Sequence, residues 1–109
     1  MPELIVSVVR VIDDGFPVDV ACELSDVQGR IHLFEDKLPV FCSAGSVPLR
    51  LPVLGYIRCR IVAELVGADG AVQLRVSTAE PDHVESLAGD VEFLVAPSQL
   101  RLVSDSDLV

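Results

Sequence analysis

The sequence predicts an all-β protein, a small barrel of six or seven short strands in a single domain. Three observations carry this. Turn signals built on Gly, Pro and Asp recur at short intervals, and the segments between them are rich in Val, Ile and Leu. No segment shows an amphipathic helical repeat of useful length. With 109 residues and half of them apolar, the chain can bury about two-thirds of its unfolded surface in one core without disulfides or metal.

The first strand is "LIVSVVRVI" (4–12), ended by "DDGFP", where Gly15 and Pro17 supply turn geometry. In the second, "VDVACELS" (18–25), alternation puts Val18, Val20, Cys22 and Leu24 on one face and Asp19, Ala21 and Glu23 on the other. "DVQG", taken as a four-residue loop, then sets Ser25 opposite Arg30, Glu23 opposite His32 and Cys22 opposite Leu33. In that register Ile31 and Leu33 of "IHLFEDKLPVF" (31–41) face the core, and continued alternation would drive Glu35 and Lys37 inward. An unpaired buried charge costs several kcal/mol. A bulge or corner is therefore expected within Phe34–Lys37, after which Leu38 and Val40 face inward again.

"SAGSVPLRLPVLG" (43–55) alternates apolar residues with Pro48, Arg50 and Pro52, an extended segment suited to a sheet edge or a barrel mouth. "YIRCRIVAELV" (56–66) and "AVQLRVST" (71–78) form a hairpin through "GADG". Its inner face is Ile57, Cys59, Ile61, Ala63 and Leu65 against Val72, Leu74 and Val76. "AEPDHVESLAGD" (79–90) reads as a loop with one helical turn, and "VEFLVA" (91–96) as a sixth strand. "PSQL" makes a short turn before "RLV" closes a domain spanning 1–103. "SDSDLV" (104–109) is a frayed acidic tail.

A strand followed by "PSQL" and a very short last strand is similar to the one-turn helix before the final strand of Src-homology-3-like barrels. An oligonucleotide/oligosaccharide-binding barrel is the alternative, weakened by Pro48 and Pro52 in the segment where that fold usually carries a helix. The stretches "CELSDVQGRIHLFEDKLPVF" (22–41) and "VSTAEPDHVESLAGDVEFLV" (76–95), together about a third of the chain, also resemble small uncharacterised bacterial all-β proteins. That resemblance implies a compact family domain and transfers no function and no site.

Seventeen carboxylates against eight Lys and Arg give a formal charge of −9. A broad nucleic-acid or anionic-membrane surface needs a basic footprint, so neither partner is expected. No stretch approaches the roughly 18 apolar residues of a membrane span, and "MPELIVSVVR" has no basic leader that would support a secretory signal. Cys22, Cys42 and Cys59 are odd in number and match no common zinc or redox spacing, which fits a reducing cytosol and a cytoplasmic protein. Cys22 and Cys59 lie on apolar strand faces and read as small buried hydrophobes. One Lys against seven Arg, with no Asn, looks like the coding bias of a GC-rich bacterial genome.

No nucleophile elbow, phosphate loop, dinucleotide fingerprint, zinc signature or calcium loop is present, so no enzyme, cofactor or metal is expected. His32 with Glu23 reads as a cross-strand surface pair. Asp82, His83 and Glu85 carry metal-ligand chemistry, but neighbours on one short loop rarely converge on an ion without further ligands. Tyr56, Arg58, Arg60 and Arg75 are expected on the outer face of the hairpin. That group can grip an anion or an acidic peptide, unless nearby carboxylates neutralise it. Glu80, Asp82, Glu85, Asp90 and Glu92 form the converse patch, a loop without Lys or Arg that would steer a basic partner or simply solubilise the chain. Val47, Leu49, Leu51 and Val53 expose more apolar surface than a small barrel covers and read as a homodimer interface. The reading that follows is a non-enzymatic cytosolic module binding a protein partner. The alternatives are an acidic inhibitor or immunity-type protein neutralising a basic toxin or nuclease, and a small enzyme or metal-binding barrel.

Overall fold

The apolar run after Met1 becomes β1 (Pro2–Asp13), and the other strands assemble around it. The computed structural model describes residues 1–13, 15, 18–41 and 50–102. Alternation in β1 buries Leu4, Val6 and Val8. Its two edges are both used. One pairs with β4 (Val53–Arg58) over Glu3–Val8; the other pairs with β2 (Asp19–Ser25) over Ser7–Asp13 and with β8 (Leu100–Leu102) near its start. β3 (Ile31–Lys37) adds to β2, giving the antiparallel order β3-β2-β1-β4 with β8 beside β1. A single residue, Cys59, then carries the chain into a second antiparallel sheet of β5 (Arg60–Val66), β6 (Val72–Ser77) and β7 (Glu92–Val95). A 3-10 turn, Pro97–Gln99, returns it to β8.

The protein is therefore all-β, as expected, with eight strands in two sheets among the described residues. Among the described residues the ladders do not close into one barrel. Two isolated backbone bonds tie the sheets along the far side: Val27 N–H to the Leu94 carbonyl (3.0 Å) and Leu87 N–H to the Leu33 carbonyl (2.8 Å). The core between the sheets joins Leu4, Val8, Val20, Phe34 and Ile57 to Val76, Phe93 and Val95. Phe34 meets Phe93 edge to face at 5.5 Å, the arrangement aromatic quadrupoles favour. Gly55 lets β4 lie close: a Cβ there would sit 3.0 Å from Val8 Cγ2 and 3.1 Å from Phe41 Cβ.

Both hairpins differ from expectation by one residue, for one reason. Each turn is a three-residue loop closed by a left-handed glycine, Gly29 (φ 80°) after Asp26 and Gly70 (φ 83°) after Gly67. A type I turn followed by such a glycine absorbs one residue more than a tight two-residue turn and one fewer than a four-residue loop. The slip flips every side chain on the paired strand. In β3, Leu24 faces His32, Glu23 faces Leu33 and Cys22 faces Phe34. Phe34 is fully buried, while Ile31 and Leu33 are 63% and 41% exposed. With that parity Glu35 and Lys37 already point outward, so no bulge is needed. β3 runs regularly to Lys37, and the corner comes afterwards as a one-turn helix, α1 (Leu38–Phe41), which buries Leu38 and Phe41.

In the second hairpin Val66 pairs with Val72 and Ala63 with Arg75, and a bulge at Val62 restores Ile61 opposite Val76. Ala63 and Leu65 thus oppose Arg75 and Gln73 instead of sharing the Leu74–Val76 face, yet they remain half-buried, while Glu64 and Val66, which now share that face, are exposed. The segment 79–90 holds no helical turn. It is a built loop: Thr78, fully buried, donates its hydroxyl to the Val84 carbonyl and its N–H to Val91 O (2.7 Å). Buried Ser86 closes the 86–90 turn by accepting the Asp90 amide at 3.1 Å. The expected tail 104–109 lies outside the described residues.

Candidate functional site

A concavity of roughly 570 Å³ opens where β1, β4 and β8 meet α1 and the 79–91 loop. β4 brings Tyr56 and Arg58 to it, alternate residues on one strand face. β1 supplies Glu3, which is opposite Arg58 on one side and Arg101 on the other. The Arg101 guanidinium lies 3.5 Å over the Tyr56 ring and is hydrogen-bonded to the Glu3 carboxylate. From the loop, Asp82 takes Arg58 in a two-pronged grip, Nε to Oδ2 at 2.9 Å and Nη2 to Oδ1 at 2.6 Å. His83, at φ 52°, holds a left-handed turn that sets Asp82 toward Arg58 while the next residue, Val84, is buried. Asp36 at the end of β3, with Val40, Phe41 and Val84, completes the lining.

The electrostatics of the cleft are settled from within. Hydrogen bonding to Asp82 raises the Arg58 guanidinium above its ordinary range, and Glu3 does the same for Arg101. Next to the cleft, Arg60 Nη1 bonds Glu80 Oε2 at 2.8 Å. The two charged patches expected as separate features are thus each other's counterions: Arg58 and Arg60 of the basic group are paired with Asp82 and Glu80 of the acidic loop. Asp36 is the lining carboxylate without an ion pair among the described residues; its Oδ1 accepts the Lys37 amide. Three carboxylates against two guanidinium groups leave the cleft one charge negative.

Arg75 is not part of this cleft. It lines a separate shallow depression with Asp26, His32, Asp90 and Glu92. There, His32 Nε2 meets Asp26 Oδ2 at 2.8 Å, and the imidazole packs edge-on to Phe93 at 4.9 Å. The expected Glu23 partner is displaced by the register slip, because Glu23 opposes Leu33. Burial would push the Asp26 carboxyl up, but the His32 bond and the Arg30 and Gln28 amides outweigh it and hold the carboxyl below its usual value. An Asp–His pair can orient a general base. Here Asp26 also accepts the amides that close its own turn, and the pair is packed as a structural unit.

Of the remaining acidic-loop residues, Glu85 lies 3.9 Å from His83, and Asp90 and Glu92 carry no ion pair among the described residues. No group of three His, Cys, Asp or Glu side chains among the described residues could hold a metal ion. Of the four residues expected at a dimer interface, Val47 and Leu49 lie outside the described residues, while Leu51 and Val53 are half-buried against the core. No described helix is long and apolar enough to cross a membrane. Arg101, Glu3 and Asp36 were not singled out by the sequence. Pairing Glu3 with Arg101 requires knowing that the last strand lies against the first, which no local pattern reveals. No family model, curated protein or solved structure matches this chain.

Proposed function

We propose that the chain is a non-enzymatic protein-binding module whose cleft beside β4 receives a side chain or short segment of a protein partner. The observation that supports this reading is that Arg58, Arg101 and Tyr56 are locked by Asp82, Glu3 and one another. A site whose charges are paired and whose aromatic ring is fixed presents a rigid surface with satisfied polar groups, as binding surfaces need, and little freedom for proton transfer. We read the two sheets as a half-open barrel of Src-homology-3-like arrangement, on the strength of the 3-10 turn that precedes a short last strand paired with β1. Selection of displayed peptides on the purified protein tests the function. Peptides that bind the wild type and lose binding to Tyr56→Ala and Asp36→Arg support it; peptides indifferent to both substitutions refute it.

A second reading is favoured by the cleft's net negative charge and the exposed Glu85, Asp90 and Glu92. It makes the chain an acidic inhibitor or immunity-type protein covering a basic toxin or nuclease in the cytoplasm. Its signature is selected peptides rich in Lys and Arg whose association slows steeply as salt rises.

A further inference from the structure

Asp36 stands where the alternation of β3 would put an apolar side chain. His32, Phe34 and Asp36 share the core-facing side of β3, and Asp36 is paired with Val20, which is fully buried. Asp36 is nevertheless exposed, because that side of β3 opens here into the cleft. It is also the carboxylate of the cleft that the chain leaves uncompensated. Lys37, its neighbour, lies on the opposite face of β3 and bonds Asp19 at 2.9 Å, and no ion pair to Asp36 occurs among the described residues. An anion on the core-facing side of a strand, beside apolar walls and without a counterion, selects a cation.

The rest of the cleft decides which cation fits. A guanidinium gains most from a two-pronged carboxylate or from an aromatic face. Both kinds of seat are already filled by the chain itself: Arg58 holds both oxygens of Asp82, and Arg101 lies over Tyr56 while bonded to Glu3. Asp36 offers a narrower seat. Its Oδ1 accepts the Lys37 amide at 2.8 Å, and its Oδ2 has no hydrogen bond among the described residues. A single free oxygen suits a compact ammonium better than a planar fork. Around it Pro39, Val40 and the buried Val84 supply an apolar wall, which the methylene stem of a lysine can cover while its ammonium stays at the carboxylate.

We propose that the cleft takes a lysine side chain of the protein partner, with its ammonium on Asp36 Oδ2 and its stem against Val40 and Val84, and that it selects lysine over arginine. The proposal rests on the reading of the cleft as a protein-binding site and narrows it. One lysine brings the charges of the cleft to balance, three carboxylates against three cations. Acetylation of that lysine removes its charge, so the cleft rejects the acetylated partner.

The test is a titration of the isotope-labelled full chain, followed by nuclear magnetic resonance of its backbone amides. The probes are Nα-acetyl-lysine N-methylamide, the matching arginine amide and the matching Nε-acetyl-lysine amide. Blocked lysine should move the Asp36, Lys37 and Tyr56 amides saturably, the Lys37 amide because it donates to Asp36 Oδ1. Blocked arginine should show a severalfold larger Kd, and the acetylated form should bind about tenfold or more weakly, the loss expected of one charge-assisted hydrogen bond. Asp36→Asn keeps the acceptor for the Lys37 amide and removes only the charge, and it should weaken lysine by the same factor. No shift of those amides, lysine bound by Asp36→Asn as by the wild type, or arginine bound at least as tightly as lysine would each overturn the proposal. Peptides that depend on the cleft, selected on a protein indifferent to blocked lysine, strike the lysine assignment and leave the module reading standing; the absence of such peptides strikes both.

Discussion

Asp26 is the residue on which the β2–β3 register turns, and replacing it tests the account of that register directly. Its Oδ1 accepts the Gln28 and Arg30 amides at 2.8 and 3.0 Å, and its Oδ2 meets His32 Nε2 at 2.8 Å. Asp26→Ala removes all three bonds. The two amides are exposed and can turn to water, so each loss costs about 0.5 kcal/mol, the low end for a hydrogen bond. His32 is only 14% exposed and loses its partner, which adds about 1–2 kcal/mol for an unsatisfied, partly buried group. The sum is about 2–3 kcal/mol, on the order of 10–20 °C in melting temperature for a domain of this size. Asp26→Asn keeps the turn acceptor and offers an amide to His32, and should cost under about 1 kcal/mol. The acid side separates the two further. Because the folded carboxyl titrates below its unfolded value, its contribution is present above the unfolded pKa and is lost as pH falls through the folded one. The wild type should therefore lose part of its advantage over Asp26→Asn on acidification below the ordinary carboxylate range. Urea unfolding followed by circular dichroism, repeated across acid pH, measures both effects. Asp26→Ala within about 0.5 kcal/mol of wild type, or Asn as damaging as Ala, would refute the reasoning.

Two further outcomes follow from burial. Phe34→Ala removes a fully buried ring and should cost about 3–5 kcal/mol in urea unfolding, while Leu33→Ala, 41% exposed, should cost under about 1 kcal/mol; the reverse order would restore the opposite facing of β3. Cys59 is fully buried, and burial, with Glu3 nearby, pushes its thiol up to about 11. Thiolate is the reactive form, so Cys59 should resist alkylation at neutral pH until the protein is unfolded, as followed by mass spectrometry of its peptide; rapid native labelling would contradict this burial.

The fold class was legible because it rests on local signals. Short Val- and Ile-rich runs separated by Gly and Asp mark antiparallel strands whatever their partners, and the expected strands are present within a few residues except 56–66, which Cys59 divides between β4 and β5 in different sheets. Register was harder. "DVQG" and "GADG" both announce a turn, but whether the loop holds three residues or four depends on the glycine's φ, and the choice decides which half of the strand is buried. The charged run Glu35, Asp36, Lys37 looked like a break only because the register was one residue off. Phe34, the largest residue in β3, was the clue. An alternation anchored on its burial would have placed His32 inward and Glu35 outward with no bulge.

The cleft shows where sequence reasoning reaches its limit. Tyr56 and Arg58 could be set on one face by strand alternation, a period-two rule. Their partners could not, because Arg58 meets Asp82 across 24 positions and Arg101 meets Glu3 across 98. A basic group and an acidic loop read separately suggest two binding surfaces of opposite sign. Once folded they cancel, since each buried or half-buried charge is most cheaply satisfied by the nearest counterion the topology supplies. What remains outside that cancellation among the described residues is informative: Asp36 in the cleft, and Asp90 and Glu92 on the loop. Charge that the protein does not use on itself is what the proposed partner would meet.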